Sequence, residues 1–216
     1  MDDKSVFLAD QAFDAIRKIL RDNIIKSGQL ISIPFISELI GFPLAPVREA
    51  VQKASALGLM RSIPKRGILI VEGDKKHVTE CLVIRHIWDA EGARILTKSP
   101  DLSIIEPLIK KHELILEKAG EGEIRLDLQQ QATQVDWEMH ELLCSRINNT
   151  EINKLYAINR DRLTIMYNTK PIHPVRLAPA FNEHISILLA IMEKDESKVL
   201  GLLDYHYQQI FKWLDM

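Results

Sequence analysis

From residue 75 to residue 214 the apolar positions recur every three or four residues with almost no interruption, which commits the C-terminal two-thirds of the chain to helices. The pattern predicts helices at about 75–97, 101–119, 123–147, 150–169, 178–193 and 195–214. Breaks fall at Ser99-Pro100, Gly120-Glu121-Gly122, Asn148-Asn149 and between Pro171 and Pro174. Six helices of this length joined by short turns make an antiparallel bundle. Pro107, inside the second helix, implies a kink or a start nearer Ile104, because proline lacks the amide that an interior position donates.

Ahead of residue 75 the pattern changes. Phe13, Ile16, Ile19, Leu20, Ile24 and Ile25 predict a first amphipathic helix over 9–26, stopped by Gly28. Ser32 is a good N-cap for a short helix that Gly41 ends. A third helix is expected over 44–57, with Pro46 tolerated in its first turn and Gly58 as the residue that closes it. Residues 59–63 and 68–71 read as strands joined by the basic tip Pro64-Lys65-Arg66-Gly67. A helix-turn-helix followed by a basic hairpin is a winged helix-turn-helix. The expected organisation is therefore a winged DNA-binding domain over 1–71, a linker at 72–74, and an all-α bundle over 75–216.

The net charge of −2 excludes a generic polycation, so nucleic-acid binding requires a local patch. Residues 1–71 hold ten Lys/Arg against seven Asp/Glu, and the remainder hold 18 against 23, so the basic excess lies in the winged part. The acidic start and the lack of a long uncharged apolar run predict a cytoplasmic protein with no membrane partner. Cys81 and Cys144 form no CxxC pair and sit among apolar neighbours, which predicts buried, reduced thiols.

The run Ile36 to Gly41, then Pro46-Val47-Arg48-Glu49-Ala50-Val51, Leu57-Gly58-Leu59 and Arg66-Gly67, resembles the winged helix-turn-helix of GntR-family regulators. The resemblance implies a recognition helix entering the major groove of an operator, with Arg48 near its N-terminus, where phosphate is favoured. The DNA-contacting residues it suggests are Arg48, Lys53, Lys65 and Arg66, with Gly67 letting the wing backbone approach the minor groove. Where the family carries Ser-Arg-Thr, this chain has Pro43-Leu44-Ala45, and leucine cannot make the bidentate contact to guanine that arginine makes.

In the bundle, Asp136 and His140 stand at i, i+4 and share a helix face. Periodicity alone does not choose among seven histidines, although His77, His86, His112 and His173 lack a comparable setting. Residues 75–214 also resemble the FCD ligand-binding domain of the FadR subfamily. That resemblance implies a metal site of Asp136, His140, His184 and His206, and this donor set suits a divalent ion such as Zn²⁺ or Ni²⁺. It further implies that Arg85 binds the carboxylate of a small effector; the alternative is a helix-surface pair with Asp89 at i+4.

The function expected is that of a homodimeric transcription regulator of repressor type, with DNA affinity set by a small carboxylate at the metal. Two alternatives stand beside it: an architectural DNA-binding protein with a vestigial pocket, and a metal-dependent hydrolase. The hydrolase lacks a general base, since there is no HExxH and Glu138 points off the Asp136–His140 face. A non-enzymatic protein is expected.

Overall fold

The computed structural model describes residues 3–120, 126–167 and 174–214. The chain divides into two compact units, Met1–Val78 with Ala157–Lys170 and Thr79–Tyr156 with Pro171–Met216. The expected breaks at 121–122 and 171–173 lie outside the described residues, as does His173.

In the first unit, α1 (Asp3–Arg21) is followed by β1 (Leu30–Ile31), α2 (Ile33–Ile40), α3 (Leu44–Ala56), β2 (Met60–Ile63) and β3 (Gly67–Ile70). The first helix stops five residues before the expected end. Asn23 takes φ 55°, a left-handed conformation that asparagine tolerates and a helix cannot continue through. Ile24 is consequently exposed while Ile25 turns into the core. The Ser32 hydroxyl accepts from the Phe35 amide, and Gly41 closes α2 at φ 72°.

The sheet order is β1-β3-β2, antiparallel throughout, with Ile63 opposite Gly67 at the wing tip. The strand β1 was not anticipated, because two residues are too few to carry a period. It explains Gly67 internally: at φ 126° an added Cβ would meet the Ile31 carbonyl oxygen at 2.5 Å.

Phe13, Ile16, Ile36, Val47 and Ile68 are buried in one core, each worth roughly 1.5–3 kcal/mol of transfer free energy. The second half of α7 (Thr150–Tyr167) joins it through Ile165. From that segment the buried Asp161 carboxylate receives Arg17, and Arg21 at 3.1 Å. Arg162 donates from Nε and Nη2 to the Leu57 carbonyl at 2.9 and 2.7 Å, satisfying a backbone oxygen at the end of α3.

The second unit is helical. It contains α4 (Lys75–Lys98) from residue 79, α5 (Leu102–Gly120), α6 (Leu126–Ser145), the first part of α7, α8 (Pro174–Met192) and α9 (Glu196–Leu214). The helix α5 runs through an exposed Pro107. Proline suits the first turn of α8, which begins at Pro174 rather than at 178. Residues Val175–Met192 are long and apolar enough to cross a membrane, at mean hydropathy 1.2. Yet Leu177, Phe181, Ile187 and Leu188 are buried within the bundle, as expected of a core helix. Lys194 at φ 61° turns the chain, and the Asp195 carboxylate caps α9 by accepting from the Lys198 amide at 2.9 Å. Gly92 lets α4 meet α6 at backbone distance, since a Cβ there would lie 1.8 Å from the Leu143 carbonyl oxygen. Both cysteines are buried and free, and burial pushes the Cys144 thiol up to about 12, leaving it inert.

Candidate metal centre and DNA-binding surface

The bundle gathers its polar side chains at one buried place. From α6, the face carrying Asp136 and His140 points inward; α8 supplies Glu183 and His184, and α9 supplies His206 and Tyr207. The tight α8–α9 turn makes the last two helices neighbours. His140, His184 and His206 are all buried and offer ligand atoms within 4.8 Å of one another.

The hydrogen bonds assign a task to each ring nitrogen. His140 Nδ1 donates to Asp89 Oδ2 at 2.6 Å, and His206 Nδ1 donates to Glu183 Oε2 at 2.7 Å. Both rings place a hydrogen on Nδ1 toward an acceptor oxygen, which turns Nε2 of each toward the interior of the site. His140 Nε2 is buried with no partner. His184 Nε2 and His206 Nε2 face each other at 3.4 Å, and Asp136 Oδ1 lies 3.7 Å from His184 Nε2 and 3.9 Å from His140 Nε2. Two nitrogens each about 2.1 Å from one ion stand roughly 3.0–3.4 Å apart. An orphaned imidazole nitrogen, two facing ones and a carboxylate at their edge make a donor set that suits a divalent cation, with the His184–His206 pair at ligand spacing.

Electrostatics agree. Burial first, and the neighbouring charges next, hold His140 and His184 well below the ordinary imidazole range, so both are neutral as ligation requires. Burial would raise Glu183, but hydrogen bonds from His206 and Arg176 outweigh it and keep the carboxylate ionised. Arg176 Nη1 and Nη2 grip both Glu183 oxygens, at 2.7 and 2.5 Å. Burial pushes Asp89 up to about 7 against the pull of Arg85. Carboxylate-held histidines of this kind fix ring orientation and basicity at metal sites.

Five participants carry no sequence signal that marks them as site residues. Asp89 and Glu183 hold ligand histidines, and Arg176 holds Glu183. Tyr207 donates to Asp89 Oδ2 at 2.6 Å and accepts from Arg85 Nε at 2.8 Å. His112, set aside earlier, is buried with Nε2 3.2 Å from His184 Nδ1. The i, i+4 spacing of Arg85 and Asp89 hinted at part of this, although Arg85 is buried rather than on a helix surface and stacks over Trp137 and Tyr207. Glu138 turns away and pairs with Lys111 at 2.5 Å.

On the first unit, Arg48 is exposed in the first turns of α3, and Lys65 and Arg66 are exposed at the wing tip. None of the three has an ion-pair partner among the described residues. Arg61 on β2, outside the set that the family resemblance suggests, is exposed in the same way. Lys53 is engaged already, paired with Asp10 at 2.8 Å and lying over the Phe13 ring. Leu44 and Ala45 are exposed at the start of α3.

No curated protein sequence matches the chain. Among solved structures it is similar to McbR/YncC of E. coli at 18% identity, with 96% of each chain covered and a TM-score of 0.76. A chain from Rhodococcus sp. RHA1 provisionally assigned as a GntR transcriptional regulator aligns at 16% identity, covering 95% of this chain and 96% of that one, with a TM-score of 0.79. Lar, which controls expression of the Listeria monocytogenes agr system, aligns at 9% identity over 95% of each chain, with a TM-score of 0.58. These likenesses show a shared fold over both units. The FCD domain matches residues 80–209, more than half of the sequence and the whole of the histidine centre. With a winged helix-turn-helix before it, the chain belongs to the FCD family, as a GntR-type transcriptional regulator and not an enzyme.

Proposed function

We propose that this regulator's grip on its operator is set by a small carboxylate bound at a divalent metal held by Asp136, His140, His184 and His206. The observation that carries the reading is the orientation of the three rings. Every Nδ1 is tied outward, and Nε2 of His140 is buried without a partner. Leaving a buried acceptor unpaired costs about 1–3 kcal/mol, a cost that an ion would remove. Zn²⁺ and Ni²⁺ both suit three imidazoles and one carboxylate. When bound, the ion supplies a Lewis-acidic point for a carboxylate oxygen.

The chain's own residues do the rest. Asp89, Glu183 and their partners hold the rings in place, and the charge of Arg85 acts on His140 and His184 from within the same cluster. A guanidinium there supports effector recognition, since its planar fork matches a carboxylate. Arg48, Lys53, Lys65 and Arg66 are the cations proposed to meet DNA phosphates, with Gly67 at the wing. Lys53 would exchange its Asp10 partner for the backbone of the duplex. A homodimer is proposed, because paired recognition helices need a fixed half-site spacing. The exposed Val83, Ile84 and Ile87 on α4 supply apolar surface for a partner copy.

The test is a thermal-shift screen of small carboxylates on metal-replete and chelator-treated protein, followed by gel shifts with operator DNA. Stabilisation by a carboxylate only in the replete sample, together with altered operator affinity, is expected. A replete sample that responds to no carboxylate contradicts the sensor.

A further inference from the structure

We propose that His112 on α5 is the positioning residue for the metal site, setting by tautomer which nitrogen of His184 is free to bind. Its consequence for metal binding rests on the metal reading above; the tautomer assignment itself does not.

The argument follows the protons. His112 Nδ1 lies 2.8 Å from the Leu108 carbonyl oxygen, one helical turn back. A carbonyl only accepts, so Nδ1 of His112 carries the hydrogen. His112 is fully buried, and among the described residues its nitrogens meet only that carbonyl and the His184 ring, with no carboxylate bonded to them to stabilise a cation, so the ring holds one proton and keeps a lone pair on Nε2. That lone pair faces His184 Nδ1 at 3.2 Å. His184 must then donate from Nδ1, and its Nε2 is left bare, facing His206 Nε2 and Asp136 Oδ1. The opposite tautomer would drive an N–H into the space between the ligands.

His184 differs from its two companions in what steadies it. Asp89 holds His140 and Glu183 holds His206, both as carboxylates. His184 leans on a neutral ring, itself buried edge-on to it with centroids 5.3 Å apart and packed against Phe181 at 4.9 Å. His112 thus orders the third ligand without adding a negative charge to the centre.

The experiment records long-range ¹⁵N–¹H imidazole spectra of the full-length, metal-free protein, and measures Zn²⁺ affinity by chelator competition. Wild type, His112→Phe and His112→Gln are compared. Wild type should show His112 and His184 both protonated at Nδ1. Phenylalanine cannot accept a hydrogen bond, so its variant should populate the Nε2–H form of His184 and bind Zn²⁺ about ten- to a hundredfold more weakly. Glutamine restores an acceptor near the Nε2 position and should keep the Nδ1–H tautomer and most of the affinity. Nε2 protonation of His184 in the wild type overturns the proposal, as does a His112→Phe protein that keeps both tautomer and affinity. Should the phenylalanine variant fail to fold, the wild-type spectrum decides alone. A wild type that binds no Zn²⁺ refutes the metal site, while the same spectrum still judges the role of His112.

Discussion

Gly92→Ala is a one-methyl change on α4 with an effect opposite to its usual sign. In an ordinary helix interior, alanine in place of glycine gains about 1 kcal/mol. Here the new Cβ would sit 1.8 Å from the Leu143 carbonyl oxygen and 2.4 Å from its carbon, both backbone atoms that cannot rotate away. A carbon and a carbonyl oxygen approach no closer than about 3.3 Å, so α4 and α6 must part by roughly 1.5 Å. Asp89 lies one turn back on the same helix, with Oδ2 2.6 Å from His140 Nδ1. The same displacement stretches that bond to about 4 Å, beyond hydrogen-bonding range. Losing a charge-assisted buried bond costs about 1.5–3 kcal/mol, and overpacking adds about 1–3. With the propensity gain set against them, the variant should lose about 1.5–5 kcal/mol. That corresponds to a fall in Tm on the order of 3–20 °C by circular dichroism. Zn²⁺ affinity should fall with it, because His140 loses its anchor. A Tm at or above wild type would refute the close approach of α4 to α6 and the role given to Asp89.

Asp161→Ala strands Arg17 and Arg21 beside an apolar core, and urea denaturation should register a loss of about 1–3 kcal/mol. An unchanged midpoint would mean that the paired arginines contribute nothing. The stability of the metal-free protein should fall with acid. Below pH 6.5 the unfolded chain takes up protons that His140 and His184, held well below that value, refuse; Asp89, raised to about 7, retains one proton that the unfolded carboxylate releases down to 3.8. Two protons against one leave a slope of about 1.4 kcal/mol per pH unit between roughly pH 6 and 4, which His112, also lowered by burial, makes steeper, and a stability flat over that span would contradict the neutral histidines. Arg48→Ala should weaken operator binding and lower the salt slope by about one, as should Arg66→Ala, leaving carboxylate binding intact. Identical salt slopes for variant and wild type in gel shifts would remove these residues from the interface.

The helical bundle was legible because its burial is periodic, and the winged motif because its punctuation is chemical: Ser32, Gly41, Pro46 and Gly58 each do a backbone task that their residue type suits. The ends of elements were less so. The first helix was read to 26 because Ile24 and Ile25 continue its stripe, whereas Asn23 ends it and exposes Ile24. Two-residue β1 left no pattern at all. The packing of 157–167 beside α1 also escaped the reading, since Asp161, Arg162 and Ile165 look like any helical positions until their partners, over a hundred residues distant, are known. At the centre, residue type and order pointed to the candidate ligands through family resemblance, but the atoms that steady them could not be read. Asp89, Glu183 and Tyr207 resemble ordinary helix residues, and His112 was set aside because its setting depends on α8 lying against α5. Hydrogen-bond direction is a property of three-dimensional juxtaposition, and spacing does not carry it.

The central claim is that three buried rings are arranged for one ion. Its most direct test is the metal-to-chain ratio of full-length protein, measured by inductively coupled plasma mass spectrometry after exposure to Zn²⁺ or Ni²⁺ and gel filtration, with His184→Ala alongside. One divalent ion per chain in the wild type and none in the variant is the predicted result. Equal metal content in the two, or none in a wild type that is folded and replete, would contradict it.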